Sequence, residues 1–573
     1  MSDKLSDYIR ADAPLPKQYK LWPLYGAGLE NLGVDKKPID VNFIACGPDE
    51  LVVRHDAVGL CFSDTKVINQ GENHPRVQRD MKAKPVTLGH EVSMTVVQVG
   101  ANLKNQYKVG DRLAIEADVY VNGKSLAYGY HFQGGLSQYA IIDARVMHSD
   151  TGNMLIPLKD EMGYAESALA EPWACVIAAY RLEYRTSIKP GGILWIIGAG
   201  EDRPYSLSAG FTADSHPARL LLTNVPAKFA SWLRAEAAKL GVEVLDVADA
   251  TQPGAEFSGD NLIDDIVILG ADPKLVETVS PFLAQFGVLA VVSDQPMPRK
   301  VSIDVGRVHY HRWAYVGTPD TDVACAYNSA IQSNLKPGGS VWFVGAGGPI
   351  GRMHVQRAIE FSNPPSVIVC SDVSDMRLDD LCNTFSGEAN QKGIEFICLN
   401  PTRKEEYAAG MARFFAKGFD YITVLAPVAP VIADAASHIA PNGTVNVFAG
   451  VPRGTMVDLD LDNFYRKGVR IIGHSGSDMS DMLITIKKTE INELLPNRSV
   501  AAIGSLSAAH DGIRAVKETT FPGKVVIYPN IKEFPLTAIQ DLKDVLPTVY
   551  AKMKNGREWT NEAEQEFLRL MLP

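Results

Sequence analysis

The chain has 573 residues, of which 46% are hydrophobic and 21% charged, with a formal net charge of -11 at pH 7. That length exceeds what one hydrophobic core organises, so three or more domains are expected. The acidic balance, with no basic stretch to offset it, argues against a nucleic-acid partner, and no apolar run is long enough to span a bilayer. The opening residues, MSDKLSDYIR, hold no apolar signal segment; a cytoplasmic protein acting on a small molecule, with no membrane partner, is the expectation. Seven cysteines scattered over this length do not make a disulfide framework.

Residues 1–40 contain several Pro, Gly and Lys and read as an irregular arm. From Val41 the pattern changes to short runs rich in Val and Ile, split by Gly, Asp and Asn. Strands are predicted over Glu50–His55, Val92–Val99, Arg112–Glu116 and Ser137–Ile142, giving a small barrel-like β domain with few helices. Three polar segments stand out in or beside it: Gly59-Leu-Cys61-Phe-Ser63-Asp64, Gly89-His90-Glu91, and Glu171-Pro-Trp-Ala-Cys175 ahead of a helical run. Thiolate, imidazole and carboxylate are the donors that tetrahedral zinc accepts, and three of them with one open position is the catalytic pattern. Their long separations leave plainer readings open: Cys61 as core filler, His90 as a satisfied buried histidine, Glu171 as the acid of a helix start. Arg76, Arg79, Lys82 and Lys84, between the first two segments, suit either a phosphate or a solvated surface.

The middle of the chain repeats itself. Lys189-Pro-Gly-Gly-Ile-Leu-Trp-Ile-Ile-Gly-Ala-Gly200 parallels Lys336-Pro-Gly-Gly-Ser-Val-Trp-Phe-Val-Gly-Ala-Gly347, and Ala179-Tyr180 parallels Ala326-Tyr327. Strands at Asp264–Leu269, Phe286–Val292 and Tyr315–Gly317 find counterparts at Phe419–Leu425, Pro441–Val447 and Ile471–Gly473. In the later copy Ser340–Val344 reads as a buried strand. Gly345, Gly347, Gly348 and Gly351 make a tight turn, Arg352–Glu360 a helix, and Ser366–Cys370 a second strand ending at Asp372. Strand, glycine turn, helix, strand, acid is the layout of a dinucleotide site. The glycines and Ile350 let the backbone approach a pyrophosphate on the helix start, and Asp372 accepts from the ribose 2′-hydroxyl, which favours NAD over NADP. A tight turn that binds nothing is the plainer alternative.

The earlier copy differs at the same place. After Gly200 it reads Glu201-Asp-Arg-Pro204, whose carboxylates would repel a pyrophosphate, and Asn224 stands where the later copy has Asp372. It reads as a Rossmann unit that has lost its dinucleotide. Beyond it, His474–Asp478 is a polar loop, Asp478–Ile491 and Ile503–Lys517 are predicted helices, and Pro535–Leu572 reads as packed surface helices. The domains are therefore placed at 1–175, 176–325, 326–475 and 476–573.

The order G-L-C-x-S-D, L-G-H-E-V and a later glycine-rich Rossmann strand resembles the zinc-dependent medium-chain dehydrogenase/reductase superfamily. The likeness is greatest to its polyol and sugar-phosphate branch: sorbitol, galactitol-phosphate and sorbose-phosphate dehydrogenases. The resemblance covers roughly residues 40–200 and 336–530. It implies an α/β plus β architecture, with a GroES-like β-barrel catalytic domain and, in this chain, two tandem doubly wound Rossmann-type domains. By that resemblance Cys61, His90 and Glu171 are the ligands of one catalytic zinc, with Cys175 a competitor for the third place. Glu91 ligates or tunes the metal, Ser63 relays the substrate proton, and Asp64 orients the histidine. Phe132–Tyr139 closes the β domain, and Gly523–Ile527 is its final core strand. The family's lobe of four cysteines for a structural zinc has no counterpart in Ala117–His131, so one zinc is expected, not two. The activity implied is hydride transfer between NAD and a secondary alcohol or ketone of a polyol, sugar or sugar phosphate. Pairing through the Rossmann sheet edge implies a homodimer or homotetramer. A zinc-free reductase of the same fold and a non-catalytic NAD-binding scaffold or sensor are the competing classes.

Overall fold

The computed structural model describes residues 4–43, 45–252, 254, 257, 262–327 and 333–573. They fall into two compact units, Met1–Ile177 with Gly348–Met353 and Gly476–Pro573, and Ala178–Gly347 with His354–Ser475. Among the described residues no helix is long and apolar enough to cross a membrane.

The first unit is built on an eight-stranded sheet. Its order is Thr537–Ala538, Val500–Ser505, Lys524–Tyr528, Leu51–Gly59, Glu91–Val99, Arg112–Ile115, Leu155–Pro157, and Tyr139–Ile142 also pairs with Leu51–Gly59. Leu51–Gly59 is buried at every position, so it carries no alternation of polar and apolar residues. Val58, Leu60, Val67, Leu88, Ile513 and Ile527 join in one buried cluster, which ties the N-terminal strands to the C-terminal return. Each of the four strands predicted in this region forms. The arm is more regular than its composition suggests: Lys4–Arg10 is a helix and Gln18–Leu21 pairs antiparallel with Ile39–Asn42. The helix predicted over Ile503–Lys517 starts only at Ala509, because Val500–Ser505 is a strand running parallel to Lys524–Tyr528. That pairing is non-local and leaves no periodic trace. In the last segment Asn561–Met571 is helical, preceded by two four-residue helices, Leu542–Val545 and Pro547–Tyr550.

The second unit contains the duplication. Its first half supplies β1 (Ile193–Gly198), β2 (Arg219–Thr223), β3 (Glu243–Asp246), β4 (Ile263–Leu269), β5 (Leu283–Val292), β6 (Val301–Asp304) and β7 (Ala314–Thr318). Its second half supplies β8 (Ser340–Val344), β9 (Val367–Ser371), β10 (Glu395–Leu399), β11 (Phe419–Val424), β12 (Ile439–Val447), β13 (Met456–Leu459) and β14 (Arg470–Ile472). Two parallel six-stranded sheets result, β3-β2-β1-β4-β5-β7 and β10-β9-β8-β11-β12-β14. Both have the doubly wound dinucleotide-fold order, with the topological switch between the first and fourth strands.

The likeness extends to single hydrogen bonds. Lys189 Nζ donates to Asp264 Oδ1 at 2.6 Å, and Lys336 Nζ to Asp420 Oδ1 at 2.6 Å. The same aspartates accept from Ile193 N–H and Ser340 N–H, each at 2.9 Å. Trp195 Nε1 donates to Thr223 Oγ1 at 3.0 Å, and Trp342 Nε1 to Ser371 Oγ at 2.9 Å. A shared apolar pattern would arise in any buried parallel sheet; matched polar pairs at matched positions mark two copies of one unit.

Candidate functional site

The first unit gathers its polar segments at one end of three adjacent strands. Gly59 pairs with Glu91 on one side and with Val526 on the other, so the chain beyond Leu51–Gly59, the start of Glu91–Val99 and the start of Lys524–Tyr528 share an edge. Cys61 caps the helix Phe62–Gln70, whose first turn presents Ser63 and Asp64. His90 follows Gly89, whose φ of 102° lies in the left-handed region and whose Cβ, if present, would stand 2.9 Å from the Gly135 and Leu136 nitrogens. A Cβ on Gly59 would overlap the Glu91 carboxylate, so the glycine makes the room in which that side chain lies.

Donor atoms of Cys61, His90 and Glu91 all lie within 4.8 Å of one another. Ser63 Oγ stands among them, donating to Cys61 Sγ at 3.0 Å and lying 3.2 Å from His90 Nε2. Asp64 Oδ1 is 3.3 Å from His90 Nδ1, and its Oδ2 accepts from Cys61 N–H at 3.0 Å. One carboxylate thus holds both the ring and the turn that carries the thiol. Glu91 is fully buried; its Oε1 is paired with the buried ammonium of Lys524, and its Oε2 has no hydrogen-bond partner.

Glu171 lies outside that group but within its field. Burial, then the charges of Glu91 and Asp118, push its carboxyl up to about 7 against the pull of His90 and Lys524. Burial lifts Glu116 to about 8, with Glu171 and Asp118 adding to the rise; it accepts from Asp118 N–H at 3.1 Å and from Ser477 Oγ at 3.3 Å. Cys175, one helical turn beyond Glu171, points its thiol toward Glu171 Oε1 at 3.9 Å and Ser477 Oγ at 3.8 Å. Burial and the neighbouring acids hold that thiol protonated.

These residues suit a divalent cation. Ligand atoms of a tetrahedral zinc stand roughly 3.3–3.8 Å apart, so donors already within 4.8 Å need small shifts. The set is soft-to-borderline sulfur, nitrogen and oxygen. The site holds several acids against one imidazole and one ammonium, and Glu91 Oε2 is an orphaned acceptor. An ion would relieve the mutual repulsion of the carboxylates.

Three neighbours have no local signal in the chain. Lys524 was legible only as part of a core strand. Tyr130 stacks on His90 with ring centroids 5.7 Å apart, and burial pushes its phenol up to about 12. Glu116 immediately follows the short strand Arg112–Ile115. Each arrives by a non-local pairing. Of the basic residues between the first two segments, Arg76 is paired with Asp118, and Arg79 donates to the carbonyls of Tyr130 and His131, both at 2.5 Å.

In the second Rossmann copy the turn after β8 has Gly345 at φ 81°. A Cβ on Gly347 would stand 2.6 Å from Arg377 Cβ and 2.9 Å from Asp372 Oδ2, whereas one on Gly348 would meet nothing within 4 Å. Packing therefore fixes glycine at 347, while the space beside Gly348 is open. The helix Pro349–Glu360 starts there, and its first N–H groups have no intrahelical acceptor. Asp372 follows β9; its Oδ2 accepts from Gly347 N–H at 2.9 Å and its Oδ1 from Ser374 N–H at 3.0 Å. The glycine turn and the acid meet at the carboxyl end of the sheet, the arrangement a dinucleotide site uses.

The first copy lacks this device. Residues 199–218, between β1 and β2, contain no helix, so no helix start faces the crevice. Glu201 turns inward instead. Its Oε1 accepts from Ser293 Oγ at 2.6 Å and from Ala271 N–H at 3.2 Å, groups that follow β5 and β4. A carboxylate of the chain itself thus occupies the carboxyl end of the central strands.

Residues 47–150 match the family model described as the alcohol dehydrogenase GroES-like domain. The protein YggP of Escherichia coli K12, described as uncharacterized, is 30% identical over 294 residues, 47% of this chain and 68% of that one. A mannitol-1-phosphate 5-dehydrogenase of Aliivibrio fischeri is 28% identical over 324 residues, 52% of this chain and 75% of that one. Among solved structures, an alcohol dehydrogenase of Thermotoga maritima matches with a TM-score of 0.50 at 13% identity, over 89% of this chain and 99% of that one; this likeness shows the fold.

Proposed function

Since the chain belongs to the medium-chain dehydrogenase/reductase superfamily, we propose that it is a zinc-dependent oxidoreductase. It moves a hydride between NAD(H) and a secondary alcohol or ketone of a polyol, sugar or sugar phosphate. The observation that carries this reading is the cluster of Cys61, His90 and Glu91 donor atoms within 4.8 Å, inside the region that matches the GroES-like domain. The similarity to a mannitol-1-phosphate 5-dehydrogenase supports the substrate class. In this reading residues 1–175 and 476–573 hold the metal, 326–475 the dinucleotide, and 176–325 a copy that binds none.

Cys61 and His90 hold the metal, with Glu171 as third ligand and Glu91 behind it. Glu91 already has one oxygen committed to the Lys524 ammonium, whereas Glu171, apart from the Cys175 thiol at 3.9 Å, is acted on by burial, by the repulsion of Glu91 and Asp118 and by the pull of His90 and Lys524. When bound, zinc supplies Lewis-acid polarisation of the substrate oxygen, and NAD supplies the nicotinamide that accepts the hydride. Asp64 Oδ1, 3.3 Å from His90 Nδ1, favours the proton on that nitrogen, which leaves the Nε2 lone pair for the ligand cluster. Ser63 Oγ, beside both Cys61 Sγ and His90 Nε2, takes the proton from the substrate hydroxyl and passes it outward. Lys524 keeps the Glu91 carboxylate from repelling substrate oxygen. Gly347, Gly348, Ile350 and Gly351 receive the pyrophosphate, and Asp372 the adenosine ribose.

The test is a screen of polyols and their phosphates with NAD, following the absorbance of reduced nicotinamide. Activity that a zinc chelator abolishes and added zinc restores is expected. Activity indifferent to chelation would favour the zinc-free reductase. NAD binding without turnover of any polyol, sugar or sugar phosphate would favour the scaffold.

A further inference from the structure

The two Rossmann copies meet along a seam, and the seam has two-fold symmetry. Equivalence between their later halves is fixed by shared irregularities. β4 and β11 carry the same register shift, at Ile263/Asp265 and Phe419/Tyr421, and Phe286 and Asn442 both have φ 60°. Each counterpart lies 156 residues further on. By that rule Gly317 corresponds to Gly473, and His309 to Tyr465. Gly317 lies against Tyr465, whose Cβ a side chain at 317 would overlap. Gly473 lies against His309: a Cβ there would stand 3.1 Å from His309 Cα and 3.4 Å from His309 Cβ. The contact made by the first copy on the second is returned by the second on the first.

The pairing of β6 with β13 repeats the pattern. Val301 opposes Leu459, Ser302 opposes Asp458 and Ile303 opposes Val457. Val301 corresponds to Val457, Ile303 to Leu459 and Ser302 to Asp458, so the pseudo-dyad passes between Ser302 and Asp458. The helix Val305–His311 packs on β14, the helix Asp462–Lys467 packs on β7, and β7 and β14 lie side by side. Val301, Ile303 and Tyr315 share one buried apolar cluster with Val457, Leu459 and Ile471.

Reciprocal contact between equivalent surfaces is the geometry of an isologous dimer. Here both surfaces belong to one chain. β7 and β14 are the last strands of their sheets, and an uncovered sheet edge is a template for pairing with another molecule. We propose that the first Rossmann copy is a built-in partner subunit for the second, so that the seam is satisfied internally and the protein is a monomer. The homodimer or homotetramer expected from edge pairing is thereby replaced by an intramolecular pseudodimer. The inference does not depend on the hydride chemistry.

Sedimentation or light scattering on the full chain, over a hundredfold range of concentration, tests it. A constant mass of 62.4 kDa is expected; a stable dimer or tetramer would overturn the proposal. A Ser302→Cys, Asp458→Cys double variant gives an independent reading, because residues opposed in an antiparallel pair are close enough to bridge. Oxidation should join the two positions within one chain, seen as a linked peptide and monomer mobility without reductant. Covalently paired chains, or no link at all, would contradict the seam.

Discussion

Two carboxylates are candidates for the third ligand of the proposed metal. Glu91 lies within the donor cluster but is tied to Lys524, while Glu171 is held outside it and driven toward its protonated form by burial and by its acidic neighbours. If Glu171 is the third ligand, Glu171→Gln should lose most of its zinc on dialysis, measured by metal analysis, while Glu91→Gln retains it with reduced turnover. The reverse ranking would give the ligand role to Glu91. Asp64 touches the imidazole and the Cys61 amide, so Asp64→Asn should weaken zinc by about 10–100-fold without unfolding the protein. Competition with a chromogenic chelator, alongside a melting curve, reads both quantities. In the proposed reading Asp372 also sets the choice of cofactor. Asp372→Ser should raise the affinity for NADP relative to NAD in calorimetric titrations, and an unchanged ratio would remove the ribose from its account.

The site depends on elements brought together by glycines. Gly59 gives Glu91 its place and Gly347 lets Asp372 close on the turn after β8. Gly347→Ala should abolish NAD binding, measured calorimetrically, because the added Cβ would press on Arg377 and Asp372; zinc content should be unaffected. At this scale the sequence was legible where structure is local. The β8 strand, the glycine turn and the acid after β9 form one continuous pattern, and both Rossmann copies were visible as repeated strings. It was illegible where a partner lies far along the chain. Val500–Ser505 has helix-compatible spacing through Ile503 and Leu506, and becomes a strand only because Lys524–Tyr528 lies beside it. Lys524 reaches Glu91 by that same return, so its charge could not be assigned to the site from its neighbours in sequence. Residues 199–218, which lack a helix, show the converse: Pro204 and Gly210 interrupt any periodicity, and the displaced acid at 201 was the readable sign.

Across the whole molecule, two buried histidines link stability to pH. His55, in the first unit, lies 2.9 Å from Ser137 O and 2.7 Å from Tyr128 Oη, and burial lowers its pKa to about 4. His354, in the second unit, bonds Tyr180 Oη at 2.6 Å, and burial lowers its pKa to about 3. Both stay neutral when folded and take up protons on unfolding below about pH 6.5. Their contribution is therefore complete above that pH and is lost as pH falls toward 4, by about 1.4 kcal/mol per pH unit for each histidine. The raised carboxyls of Glu116 and Glu171 act in the opposite sense over the same range, so the histidine contribution is read as a difference. Relative to the unsubstituted protein, the melting temperature of His354→Gln should fall less, or rise more, between pH 7 and 5, and a parallel profile for the variant would remove His354 from the effect. The proposed activity requires one ion in the first unit. X-ray absorption at the zinc edge of the purified protein addresses it directly. A single sulfur at ~2.3 Å with nitrogen and oxygen neighbours at ~2.0–2.2 Å is the predicted shell, one zinc per chain. Absence of zinc, or a shell with more than one sulfur, would contradict it.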